Sequence, residues 1–383
     1  MKRLLTTTAA LTLAALAAQA DELQLGLATA QTGGLAPYDA PVVEGIRIAV
    51  DEINAAGGIG GTTPIVLTEK DVRSDTAQTV IATQELVDGG AEVIVLPCDA
   101  DPAIAAAAIV AEAMVPAIST CASSPTLPLI GGDYVFANFP GDNVQATVSA
   151  TWAFQQGLTS AFILYSPDSQ YTTMPLYFAE VMKSLGGEVL GEATYNMGQP
   201  DFSAIATQIA AMNPAPAVVM TSAYEPDFPT FLKALRAAGY AGQVIGSDGI
   251  DSPTTFSLGD VAEGVVFTTA GYATEGSPLA AFDALYEEKT GAASQTVFNA
   301  IGYDLVKVVE AAVIAAGSTE PQAIRDAMAG LENVQGATSL ISYKGTDGMP
   351  VRQVSLVRIK GGQRELVGQP SPDPALIPAP RMQ

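Results

Sequence analysis

From Leu23 onward, short apolar runs alternate with longer stretches of helical periodicity, and few chain features restrict a fold as much. LQLGLATA, from Leu23, reads as a strand, and QTGGLAPYD, with Gly33, Gly34 and Pro37, reads as a loop. PVVEGIRIAVDEINAAGG then reads as a helix. Val42, Ile46, Ala49 and Ile53 form its apolar stripe, Pro41 suits its first turn, and Gly57 and Gly58 stop it. PIVLTEKD gives a second strand, TAQTVIATQELVDGG a second helix and AEVIVLP a third strand. Strands that alternate with helices fold into a parallel sheet covered on both faces, so an α/β protein is expected.

The pattern then echoes itself. IATQELVDGGAEVIVLPCDAD, from Ile81, matches IATQIAAMNPAPAVVMTSAYE, from Ile205, in its order of helix, turn, apolar strand and polar loop. Each copy leads through another helix to another strand, MVPAISTCASSP in the first and GQVIGSDGIDSP in the second. Ligands of open α/β sheets bind outside the carboxyl ends of the strands. The candidates in the first half are residues 98–101 and 119–124. In the second half they are Tyr224, Glu225, residues 247–252 and, after the strand AFILYSP, the loop DSQYTT with Tyr171. Two such halves facing each other would make a cleft with polar groups on both sides. GGIGG at 57–61 lacks the Gly-Lys-Ser/Thr of a phosphate loop and follows a helix, so it reads as a helix stop.

Composition removes most chemistries. The 383 residues contain no histidine, which excludes Ser-His-Asp and Cys-His catalysis and the HExxH zinc site. No pattern requires a metal or another cofactor; Asp99 and Asp101 form a D-x-D, but no EF-hand pattern surrounds them. MKRLLTTTAALTLAALAAQA has Lys2 and Arg3, a short apolar middle and a small-residue site, and so reads as a signal peptide cleaved before Asp21. The remaining 363 residues suffice for two domains. Without Lys2 and Arg3 the net charge moves from −23 to −25, which argues against nucleic acid or an anionic membrane as partner. In an oxidising compartment, Cys98 and Cys121 are expected to form a disulfide. Each follows a strand, and neighbouring strands bring two such residues within bonding reach. The end, GQPSPDPALIPAPRMQ, reads as an extended or mobile tail.

Four segments, AVDEINAAGGIGG, SAYEPDFPTFLKALRAAG, IGSDG and NAIGYDLVKVVEAAVIAAGS, give the chain a resemblance in order and spacing. It resembles the periplasmic solute-binding proteins of ABC importers, in their branched-chain amino-acid-binding (type I) class. The resemblance implies two Rossmann-like lobes with parallel central sheets and three hinge crossings, near residues 138–142, 268–271 and 338–343. The first lobe would hold residues 21–140 and 270–340, the second 141–269 and 341–360, with 361–383 as the tail. It further implies a periplasmic monomer that closes over a small solute and delivers it to a permease and ATPase complex in the inner membrane.

The same resemblance assigns roles to individual residues. Tyr38 matches a cleft aromatic, and Asp99 stands where amino-acid binders of the family have a serine for the ligand carboxylate. Cys121 stands at a backbone-carbonyl position, and Ser123 matches a threonine that contacts both carboxylate and ammonium. Tyr171 and Tyr224 match second-lobe tyrosines that close over the ligand, and Asp248 matches a glutamate that pairs with the ammonium.

Asp99 departs from that pattern, because a carboxylate facing a ligand carboxylate in a dry cleft is repulsive. Asp99 could cap the helix that follows it, or Asp101 could cap with Asp99 at the cleft. Otherwise the ligand is a cation or amide (a polyamine, guanidino compound or urea) met by the acids. The arrangement adopted here is capping by Asp101 with Asp99 at the rim. A sensor presenting ligand to a receptor is the functional alternative. A carboxylate-pair hydrolase is set aside, because Asp99 and Asp101 form no pair opposed across a substrate.

Overall fold

In the computed structural model, which describes residues 22–169 and 173–381, the alternation becomes two sheets. The expected signal peptide and Tyr171 lie outside the described residues. The first sheet holds β1 (Leu23–Thr29), β2 (Ile65–Asp71), β3 (Val93–Leu96), β4 (Ala117–Ser119) and β5 (Val135–Phe136). All are parallel, in the order β2-β1-β3-β4-β5. The second sheet has a parallel body of β6 (Ser160–Tyr165), β7 (Glu188–Thr194), β8 (Val218–Thr221), β9 (Gln243–Gly246) and β10 (Val266–Thr269). Their order is β7-β6-β8-β9-β10, so β6 stands to its lobe as β1 stands to the first. The sequence echo falls on this correspondence: one copy runs into β3 and the other into β8.

The remaining strands depart from the expected parallel plan. β11 (Val334–Gln335) and β12 (Leu340–Ile341) form a small antiparallel ribbon. β13 (Ser355–Lys360) and β14 (Gln363–Gly368) add an antiparallel edge to the second sheet, beside β10. β14 lies within the segment expected to be a tail, so that boundary is corrected. The proline-rich end beyond it is held against the second lobe. Asn143 donates to the carbonyl of Pro378 at 2.9 Å, Tyr177 accepts from the backbone N–H of Arg381 at 2.8 Å, and Arg381 pairs with Glu180 at 2.8 Å. Prolines cannot donate to a ladder, but their carbonyls still accept, and Asn143 uses that of Pro378.

The first helix is also longer than expected. It spans Ala36–Ala55, with Pro37 in its first turn and Pro41 inside it. This matters to the cleft because Tyr38 and Asp39 then stand on a rigid turn instead of a loop. The helix packs against Phe298–Ala316 through glycines: a Cβ on Gly45 would meet the carbonyl oxygen of Asn299 at 1.8 Å, and one on Gly302 that of Val42 at 1.9 Å. Tyr286 donates to Glu44 at 2.6 Å and Tyr303 to Glu52 at 3.0 Å, so the helices after β10 belong to the first lobe. The chain therefore leaves one lobe for the other after β5, after β10 and between β12 and β13.

A buried ion pair ties the first and last of these crossings together. Arg352 meets Asp304 at 2.6 Å with both side chains fully buried. Arg352 also donates to the carbonyl of Asn138 and to the hydroxyl of Thr338. Tyr343 closes the cluster by donating to the carbonyl of Ala137 at 2.7 Å. No described helix is long and apolar enough to cross a membrane.

Candidate functional site

The carboxyl ends of the two parallel sheets face each other, and the groups singled out in the sequence gather there. Asp39 organises the first-lobe side from the first turn of its helix. One carboxylate oxygen accepts from the backbone N–H of Ala30 at 2.8 Å, just past β1. The other accepts from Cys98 N–H at 2.9 Å, past β3, and from the Thr120 hydroxyl at 2.6 Å, past β4. A single fully buried carboxylate thus joins three strand ends. Burial pushes its carboxyl up to about 7, against the pull of those three donors. Asp39 was not among the expected site residues. Its signal was there to read, since it lies in phase with Val42, Val43 and Ile46 on the buried stripe.

The cysteines add a covalent tie. Cys98 and Cys121 form the expected disulfide, with Cα atoms 4.4 Å apart, linking the loop after β3 to the loop after β4. Next to it, Asp99 is the N-cap of the helix Ala100–Ala113 and accepts from the backbone N–H of Asp101 at 3.1 Å. This corrects the arrangement in which Asp101 was the cap. Asp99 has the extended backbone a cap requires, whereas Asp101 is already in the first turn. Capping does not remove Asp99 from the cleft, because its side chain also lines the cavity there. Burial, and then the charge of Asp101, raise its carboxyl to about 6.

That cavity is lined from the first lobe by Leu35, Tyr38, Cys98 and Asp99, and from the second by Tyr224, Asp248 and Gly249. Its volume is about 20 Å³, room for little more than one water. Tyr38 closes it. Its hydroxyl donates to the carbonyl of Gly249 at 3.0 Å and accepts from the N–H of Glu225 at 3.2 Å, both across the cleft. Its ring meets Tyr224 edge-on at 5.9 Å and Phe298 edge-on at 5.6 Å. A second, larger cavity of about 470 Å³ lies between the lobes, lined by Glu44 from one side and by Glu225 and Ser252 from the other.

Beneath the second-lobe wall sits a buried polar cluster. Gln145 donates to Asp248 at 3.1 Å and to the carbonyl of Pro140 at 2.9 Å, and accepts from Thr268 at 2.7 Å. Gln145 thus links Asp248 to Pro140 at the first crossing and to Thr268 at the second. Asp142, first residue of the helix Asp142–Gln155, is fully buried. Burial, and then the nearby charge of Asp248, push its carboxyl well above the usual range. Ser123 lies near enough to oppose that shift, yet neither its hydroxyl nor either oxygen of Asp142 has a partner at ordinary hydrogen-bond distance. Ser123 and Cys121 are buried behind the cavity wall instead of lining it. Asp142 and Gln145 were not foreseen, although both lie on the buried side of their helix.

Tyr38, Asp99, Tyr224 and Asp248 thus come together at one cavity, with Cys121 and Ser123 close behind. Lobes of one topology, hinged by three crossings and meeting at such a cavity, define a solute-binding protein of the cleft type. The chain belongs to the periplasmic binding protein family, whose model matches residues 22–364.

Two relatives and two structures illustrate the likeness. The Leu/Ile/Val-binding protein BraC3 of Rhizobium johnstonii is 29% identical over 348 residues, covering 89% of this chain and 93% of that protein. The leucine-, isoleucine-, valine-, threonine- and alanine-binding protein of Pseudomonas aeruginosa is 23% identical, covering 81% of this chain and 82% of its own. The structure of the leucine-binding protein LivK from Thermotoga maritima superposes with a TM-score of 0.83 at 24% identity, covering 92% of this chain and 99% of that one. That of LivJ from Streptococcus pneumoniae in complex with isoleucine gives 0.82 at 25% identity, covering 91% and 100%.

Proposed function

We propose that this protein is the substrate-binding component of an ABC importer, which captures a small amino acid or a related amino or amide compound. It would do so in the periplasm as a monomer, without turning the solute over, and deliver it to the permease. Removal of a signal peptide before Asp21 would precede that role. The contact-forming residues are taken to be Tyr38, Asp99, Tyr171, Tyr224 and Asp248, with Cys121 and Ser123 supplying backbone and hydroxyl groups behind them. The lobe boundaries follow the three crossings.

The observation that carries this reading is the bridge made by Tyr38. Its hydroxyl satisfies one acceptor and one donor of the opposite lobe, so the closed form has a polar latch. Parting the lobes gives both groups to water at little cost. A cavity of about 20 Å³ admits no amino acid until the lobes part or Tyr38 swings aside. Binding then shifts an open–closed equilibrium by the solute's differential affinity for the two forms.

Small-angle scattering with and without solute tests this, after a thermal-shift screen of amino acids and amides. A bound solute at a hundredfold excess over its dissociation constant stabilises the fold by about 2.7 kcal/mol. Tyr38→Phe removes the latch and is expected to shift the solute-free protein toward larger radii, with affinity falling about fivefold for the loss of about 1 kcal/mol. A protein whose scattering profile does not respond to any bound solute would contradict the cleft mechanism.

A further inference from the structure

Building on the solute-binding reading above, we propose that the ligand is an organic cation without a free carboxylate, an amine or an amino-acid amide, whose N–H groups meet Asp99 and Asp248.

The first reason is that the seat for an anion is filled. The N-terminus of the helix Ala100–Ala113 points to the cavity, and backbone N–H groups at such a terminus would hold a ligand carboxylate. Here the carboxylate of Asp99 occupies that place, accepting from Asp101 N–H at 3.1 Å. A second carboxylate beside it would meet a like charge in a part-buried, low-dielectric setting.

The second reason is that the lining of the cleft is acidic. Among the described residues, those lining the small cavity include Asp99 and Asp248, those lining the larger one include Glu44 and Glu225, and neither set has a lysine or arginine. Behind Asp248, the fully buried Asp142 has the Ser123 hydroxyl as a neighbour, but neither group has a partner at ordinary hydrogen-bond distance. A buried carboxylate in that condition either keeps its proton or gains a positive neighbour. An ammonium group at Asp248 would bring that neighbour within electrostatic range of Asp142.

The third reason separates an organic cation from a metal ion. Among the described residues, the group of three candidate metal ligands within 4.8 Å of one another is Asp39, Cys98 and Cys121, whose sulfurs are joined in the disulfide. Asp99, Asp142 and Asp248 form no such group. Acids spread along a cleft suit a polyatomic cation that offers several N–H donors, and the edge-on pair of Tyr38 and Tyr224 supplies an aromatic wall for it.

Calorimetry on the full mature chain with its disulfide intact tests this, using L-leucine, L-leucinamide, 3-methylbutylamine and putrescine at pH 7.5, and calcium as a control. At least one carboxylate-free cation is expected to bind tenfold or more tightly than leucine. Asp99→Ser keeps a capping side chain and removes the charge, so it should narrow that ratio by tenfold or more. Asp248→Asn should weaken every cation tenfold while circular dichroism shows an unchanged fold. Leucine binding as tightly as leucinamide and the amines would overturn the ligand class and leave the solute-binding reading standing, as would calcium outcompeting them. Silence across the series overturns the class as well. If uncharged and anionic solutes then also fail to close the cleft in scattering, the solute-binding reading falls with it.

Discussion

Asp39 shows what a single residue can organise. Three strand ends are held by two oxygens, so replacing one oxygen by an amide should loosen all three. Asp39→Asn turns an NH₂ toward at least one donor and is expected to cost about 1–3 kcal/mol at pH 8. The cost should shrink at pH 5, where burial has already protonated the wild-type carboxyl, which titrates near 7. Urea unfolding at both values checks this, and an equal loss at each would mean that Asp39 does not titrate in that range. The groups facing it are Thr120, the N–H groups of Ala30 and Cys98, and the charge of Asp99. Asp39 and Asp142 also mark the limit of reading residues from sequence. Each is an acid in phase with an apolar stripe, a visible anomaly, but the groups around it come from far along the chain, Thr120 lying 81 positions from Asp39 and Asp248 more than a hundred from Asp142. Asp99 was legible as a conflict, and only the extended backbone before Ala100 decided which acid capped.

At the scale of elements, the alternation of strand and helix was readable because period and turn residues are local. The Ile81 and Ile205 echo went further and pointed to two equivalent lobes. What escaped was set by long-range pairing: the β13–β14 edge and the docking of the proline-rich end depend on surfaces that no local pattern encodes. The disulfide was legible because each cysteine follows a strand and the two strands are neighbours. It closes a loop of 23 positions between two cleft-lining segments. Replacing both cysteines by alanine is expected to lower stability by about 3 kcal/mol in the chain-entropy picture. Denaturant unfolding of oxidised wild type and variant measures it. A loss under about 1 kcal/mol would assign the tie to cleft geometry and not to stability.

For the whole molecule, the raised carboxyls set the direction of the response to pH. Asp39, Asp99 and Asp142 bind protons more readily in the folded chain than in the unfolded one. Their contribution is complete below the ordinary carboxylate range and is lost as pH rises through about 6 and 7. Carboxylates held low act oppositely and only in more acid solution, as Glu69 does through its bond from Arg47. The net charge of −23 relaxes in the same direction as the raised group. Differential scanning calorimetry should therefore show Tm rising from pH 8 to about 5 before it falls. A Tm that drops steadily below pH 8 would refute this. The docked end of the chain has a practical consequence of another kind. β1 begins the first lobe at Leu23, whereas Arg381 is fastened to Tyr177 and Glu180 on the second. Leu23 and Arg381 thus ride on different halves of a hinged body, and a donor–acceptor fluorophore pair attached beside them would read its motion with no change to the interior.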